Sequence, residues 1–312
     1  MENLRVCLNA VLPLLLTMLL GYSARRMGKL GEKEILRMNS TAFFFFMPCL
    51  LFNSVYTADL STALNIKLMV FTAVGLVLVF VGGLIVTLKC FEGKDRQSVI
   101  LMGIFRSNCA LLGFPLIKSL VPGTDISTAA IIIVEVATIN NIFAVLCMSI
   151  FSGTKHSVGD VLKDLVKNPL LIGSMVGIVF ALFGWKLPGF VESVVSDLSD
   201  MSSPLLIFLL GAFFKFDEIG KFKRQLSVVC AIRLLIIPAI ILPAGWLLGF
   251  RGVEFAALMA SFASPAAVTS FTMAQQMGGD SKLAGDIVVF TSVLSPFTLF
   301  VWCMAAKLIG AV

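Results

Sequence analysis

Ten long apolar runs, separated by short charged loops, constrain this 312-residue chain more than any other feature. They fall near residues 6–24, 36–56, 66–89, 97–120, 127–151, 169–185, 189–214, 224–249, 253–277 and 283–310. A helix needs about 20 apolar residues to cross the hydrocarbon core of a bilayer. The runs therefore predict an all-α membrane protein with ten transmembrane helices. Composition agrees: 58% of residues are hydrophobic, 13% are charged and the mean hydropathy is +1.00. No soluble core of this length could absorb that much apolar surface. The net charge of +6 sits in short loops and forms no face that could track phosphates, so nucleic acid is excluded as a partner.

Other chemistries find no support. The seven cysteines are scattered without a CxxC pair, and the single histidine, His156, lies in a charged loop. No metal site, thiol redox centre or Ser-His triad is expected, nor any cofactor. No HExxH, catalytic dyad or paired intramembrane aspartates occur, so the chain does not read as an enzyme. The first run lacks a small-residue cleavage site and is followed by Arg25 and Arg26, so it reads as a retained helix.

Positive charge orients the spans. Arg25, Arg26, Lys29, Lys33 and Arg37 follow the first run, and Lys89, Lys94 and Arg96 follow the third. Lys155, Lys163 and Lys167, then Lys215, Lys221, Lys223 and Arg224, then Lys282 continue the same side. The positive-inside rule makes these loops cytoplasmic and puts both termini outside the cell membrane.

The chain also echoes itself. Pro13-Leu14-Leu15-Leu16 resembles Pro169-Leu170-Leu171-Ile172, with Gly21 and Gly177 each eight residues on. Pro48 and Phe52 of the second run correspond to Pro204 and Phe208 of the seventh at the same offset, 156 residues. Two five-span repeats are predicted, 1–152 and 169–312, joined by a cytoplasmic linker at 153–168. An odd span count inverts the second copy, and in such carriers the substrate site lies at the midplane between repeats.

Proline and polar residues inside apolar runs mark the candidate site. Run four contains Arg106, Asn108, Gly113 and Pro115; run nine contains Ser264, Pro265 and Thr269. A proline removes an N–H and clashes one turn back, so each helix is expected to break at its proline. Ser264-Pro265 reads as an N-cap with proline at the first helical position. Half-helix N-termini there would favour an anionic group. Asn108, Gly113, Pro115, Ser264, Pro265 and Arg106 are the substrate-site candidates. Glu135, Asn140, Asn141 and Thr269 are candidates for coupling to a sodium ion or proton, because charge in hydrocarbon is costly. Glu135 could instead be an ion-pair partner of Arg106. Arg233 is expected to snorkel, Asp286 to be interfacial, and Gln275 and Gln276 to be capping or surface residues. Runs two and seven, rich in aromatic residues at Phe43–Phe46, suggest a static scaffold or subunit contact and not a pathway.

Asn108 followed by Gly113-Phe114-Pro115-Leu116, together with Met47-Pro48-Cys49-Leu50-Leu51-Phe52 and the proline-bearing run nine, resembles the auxin efflux carrier family. The likeness extends along the whole chain and matches its short bacterial type. It implies two inverted five-helix repeats with crossed, proline-broken helices four and nine, similar to bile acid/sodium symporters and sodium/proton antiporters. Spans 1, 2, 6 and 7 would form a scaffold, and spans 3–5 and 8–10 a transport domain moving in elevator fashion. It further implies a homodimer through spans 2 and 7, placement in the inner membrane, and a small organic anion, a carboxylate or indole-type acid, as substrate. The alternatives are a carrier of the same fold with a cation as principal cargo, and a membrane sensor.

Overall fold

A computed structural model describes residues 2–57, 65–151, 169–214 and 222–312. The expected linker at 153–168, with His156, Lys155, Lys163 and Lys167, lies outside the described residues, as do Lys215 and Lys221.

The ten apolar runs all fall on helix. In chain order these are α1 (Glu2–Arg26), α2 (Glu32–Tyr56), α3 (Ile66–Cys90), α4 (Lys94–Phe105), α5 (Cys109–Leu120), α6 (Ser127–Phe151) and α7 (Pro169–Phe183). They continue with α8 (Gly189–Phe213), α9 (Lys223–Leu247), α10 (Val253–Phe262), α11 (Thr269–Met277) and α12 (Ser281–Leu308). Among the described residues six helices are long and apolar enough to cross a membrane: α2, α3, α6, α8, α9 and α12. Shorter apolar stretches lie in α7 and α10. No strand forms among the described residues; the one sheet-like feature is an isolated antiparallel bridge between Ser107 and Ala266.

Prolines shape the helices without ending them. In α2 the turn Ala42–Phe46 widens to π-helical bonding just ahead of Pro48, and the Met47 N–H reaches Ala42 O. In α9 Ile232–Ile236 does the same ahead of Pro238, with the Ile237 N–H on Ile232 O. A π turn accommodates the carbonyl that the proline ring would otherwise strike.

The helices pack as two sets of neighbours that also meet each other, α1 lying against α12 and α5. In the first, α1 lies along α8, α2 lies along α7, and α2 touches α8. Close approaches are made at glycines: a Cβ on Gly21 would collide with the carbonyl of Phe208, and one on Gly177 would stand 2.8 Å from the carbonyl of Phe52. Small residues let backbones meet in a bilayer, where packing and not hydrophobic transfer holds helices together. In the second group α3 packs on α4 and α6, α9 on α10 and α12, and α10 on α5 and α6.

The ends of the bundle differ in charge. At one end Arg25 donates to the carbonyls of Ala212 and Phe213, Arg96 pairs with Asp280 at 3.5 Å, and Arg224 covers the Phe91 ring. At the other, Lys67 donates to Leu248 O, the Gly252 N–H to Ala311 O and the Leu187 N–H to the Tyr56 hydroxyl. Among the described residues, Arg25, Arg96 and Arg224 of the Lys/Arg-rich loops thus gather at one end.

Candidate functional site

Two helix interruptions meet in the second group. After α4 the backbone at Arg106 is extended (φ −84°, ψ 107°), and α5 begins at Cys109. The chain between α10 and α11, residues 263–268, is likewise non-helical. The two segments run antiparallel: the Asn108 N–H donates to Pro265 O at 2.9 Å and the Ala267 N–H to Arg106 O at 3.1 Å. Pro265, which has no N–H, occupies a position where only its carbonyl is used. The interruption in run four therefore does not fall at Pro115, which lies inside α5. Pairing with 265–267 sets the break, whereas a lone proline inside a membrane helix costs one backbone bond that the surroundings can absorb. Nor does Ser264 act as an N-cap: α11 starts only at Thr269, and Ser264 Oγ donates back to Ala260 O at 2.5 Å.

Helix ends leave carbonyls unpaired on the C-terminal side. Here one side chain collects them. Arg233, 1% exposed, donates from Nε to Ser264 O (2.8 Å), from Nη2 to Ser261 O (3.1 Å) and from Nη1 to Phe105 O (3.2 Å) and Ile104 O (3.4 Å). It does not snorkel, because its guanidinium fork fits the carbonyl ends of α4 and α10 together. Asp286, expected at an interface, is also buried.

On the N-terminal side of the breaks lies a cavity of about 390 Å³. Arg106, 3% exposed, forms part of its wall and donates to Asn141 Oδ1 at 2.6 Å and to Met273 Sδ at 2.7 Å. Asn140 Nδ2 donates to Ser107 Oγ at 3.3 Å. Among the residues lining the cavity, two buried atoms have no hydrogen-bond partner: Asn108 Nδ2 and Asn140 Oδ1. Thr269 completes this side. The opposite wall comes from α2, through Asn53, Ser54 and Thr57, and from α8, through Ser199 and Ser203. Among the described residues that line the cavity, Arg106 alone carries a charge.

The structure thus brings Arg106, Asn108, Asn140, Asn141 and Thr269 together and leaves other candidates elsewhere. Gly113 is a packing position, where a Cβ would come within 2.9 Å of Ile133 Cδ1 and 3.3 Å of Ala260 Cβ. Ser264 and Pro265 face the crossing and not the cavity. Glu135 is half-buried with Oε2 unpartnered, and it forms no ion pair with Arg106, which is held by Asn141 and Met273 instead. Sequence reasoning set aside runs two and seven as a pathway, yet their small polar residues line the cavity. The signal was there in Asn53, Ser54, Thr57, Ser199 and Ser203, polar side chains within otherwise apolar helices. Asn39 of α2 was also missed: it is fully buried, accepts from Thr272 Oγ1 at 2.9 Å and donates to the half-buried Gln275.

A largely apolar cavity with a few convergent polar groups, set among the helices of a membrane-spanning chain, suits a carrier, and comparison with known proteins agrees. Residues 6–160 and 153–303 match the family described as Membrane transport protein. The chain belongs to that family. An uncharacterized transporter of Methanothermobacter thermautotrophicus is 26% identical to this family member over 94% of the chain and 96% of its own length. One from Methanocaldococcus jannaschii is 24% identical over 95% and 97%. Auxin efflux carrier component 1 of Arabidopsis thaliana is 26% identical over 46% of this chain and 24% of its own length. The expected likeness to a short auxin efflux carrier is borne out. The protein is a multi-pass membrane transporter and not an enzyme.

Proposed function

We propose that the protein carries a small organic anion across the cell membrane by elevator-type alternating access. The observation that carries this reading is the isolated charge of Arg106 in the cavity wall, beside the unpartnered Asn108 Nδ2. A buried guanidinium presents paired donors that suit a carboxylate. The N-termini of α5 and α11 add their dipoles on the same side. A cation as principal cargo would need carboxylates where this cavity has arginine and amides. Glu135, with Oε2 unpartnered, remains the candidate for proton coupling.

An inverted repeat is supported by exchanged contacts. Gly21 meets Phe208 while Gly177 meets Phe52, and each residue of one contact lies 156 positions from one of the other. Ser202 Oγ donates to Phe46 O at 2.8 Å across that same separation of 156, as residues beside a pseudo-twofold axis would. The first helix group is then the scaffold and the second the transport domain. The cavity lies between them, lined on α2 by its last turns, Leu50–Thr57. Towards the Lys/Arg-rich end, Asn39 bonded to Thr272 and Gln275 closes the gap. With that end cytoplasmic and both termini outside, this is the outward-facing state. The exposed Phe44, Phe45 and Met201 offer α2 and α8 a face for a homodimer.

Counterflow in proteoliposomes with radiolabelled malonate and indole-3-acetate tests the reading. Accelerated uptake of either label into liposomes loaded with the same unlabelled acid is expected, and its absence with monodisperse protein would overturn it.

A further inference from the structure

The two buried arginines stand on opposite sides of the same crossing, and only one of them faces the cavity. Arg233 is a fixed positive charge whose donors take up carbonyls from both half-helix C-termini, Ile104 and Phe105 of α4 and Ser261 and Ser264 at the end of α10. Those ends carry the negative pole of each half-helix dipole. In broken-helix carriers, unwound carbonyls and half-helix C-termini are where a coupling cation is coordinated. Here that coordination is taken by a side chain that cannot leave and does not lose its proton in proteins. The positive ends lie on the cavity side, reinforced by Arg106 and offering Asn108 Nδ2 and the 98% buried Asn140 Oδ1 as unused polar atoms.

We propose that Arg233 serves as the resident cation of the crossing, so that an anion binds at Arg106 and Asn108 without a co-transported sodium ion. The proposal rests on the anion reading above and adds its ion dependence. Arg233 is a positioning residue: it holds the two breaks in register, and through them the Arg106–Asn108 segment, without touching the substrate.

The test replaces sodium by choline on both sides of the liposome membrane. Wild-type counterflow of malonate or indole-3-acetate is expected to stay within about twofold. A fall of tenfold or more, the ratio that about 1.4 kcal/mol of lost binding produces, overturns the inference while leaving the anion reading intact. Silence in both media overturns both. Arg233→Ala leaves the carbonyls without their cation. It is expected to lose counterflow in choline medium and to regain it when guanidinium is added. Wild-type rates in Arg233→Ala without any added cation would also overturn the inference. Should that variant fail to fold, the wild-type comparison still decides, since it needs no substitution.

Discussion

Replacing Gly21 and Gly177 by alanine, with Gly82→Ala as reference, measures how much of the scaffold depends on backbone approach. An added Cβ at position 21 would overlap Phe208 O and lie 2.9 Å from Phe208 C; at position 177 it would lie 2.8 Å from Phe52 O and 3.2 Å from Phe52 Cα. Comfortable carbon contacts are about 3.5–4.0 Å, so the α2–α7 pair has to part by about 0.5–1 Å and the α1–α8 pair by at least that. A gap of that size forfeits a quarter to a half of each contact's well, and a few tens of atom pairs at about 0.1–0.2 kcal/mol make the loss about 1–3 kcal/mol, the usual cost of overpacking. Better helix propensity returns up to about 1 kcal/mol. No heavy atom lies within 4 Å of a Cβ at Gly82, so that variant keeps the propensity gain alone. The expected separation is about 2 kcal/mol, or roughly 4 °C in midpoint. It is read by heating detergent-solubilised protein and following the folded peak by size exclusion. Melting of both scaffold variants together with Gly82→Ala would refute the reasoning.

Three further outcomes are expected. Asn108→Ala removes a buried donor from the cavity and should weaken stabilisation by the transported acid about tenfold in a thermal-shift titration; unchanged affinity would remove Asn108 from the site. Ser203→Cys in a Cys109→Ala background should react with an impermeant maleimide from outside intact cells, and Asn39→Ala should lower that reactivity by freeing α11 from α2. Labelling only after lysis would reverse the assigned orientation. Glu135→Gln cannot exchange a proton, so uptake driven by a pH gradient should vanish while counterflow persists; gradient-driven uptake at the wild-type rate would take Glu135 out of coupling.

What the sequence made legible was whatever depends on local periodicity. Apolar run length located the helices, and the spacing of Pro13, Gly21, Pro48 and Phe52 against Pro169, Gly177, Pro204 and Phe208 marked an offset at which two contacts, Gly21 with Phe208 and Gly177 with Phe52, are exchanged. Tertiary pairing was not legible. Pro115 looked like a helix breaker, but whether a proline breaks a helix depends on what else can satisfy the backbone, and the partners at 265–267 lie some 150 residues away, between two other helices. Arg233 read as a snorkelling residue because no local pattern says that four carbonyls from two other helices converge on it. The same holds for Ser199 and Ser203, single polar residues whose shared cavity with Arg106 appears only once α8 is packed beside the breaks.

The proposed repeat also bears on which residues can carry directionality. At the offset of 156, Asn108 corresponds to Ser264, so the two interruptions are counterparts, whereas Pro115 and Pro265 are not. Arg106 corresponds to Phe262, and Arg233 to Val77. Both guanidiniums are therefore departures from the symmetric frame, and they act on opposite poles of the crossing: Arg233 neutralises carbonyl ends, and Arg106 adds to the positive ends. Two symmetric halves alone would supply two equivalent motions about one pseudo-twofold axis and a site of no fixed sign. Under the proposed elevator, the paired departures would give the cavity one sign of charge in every position of the moving domain, because both arginines fall in the half proposed to move. On that reading ligand sign is set by residues that move, and access by residues that stay, Asn39 among them.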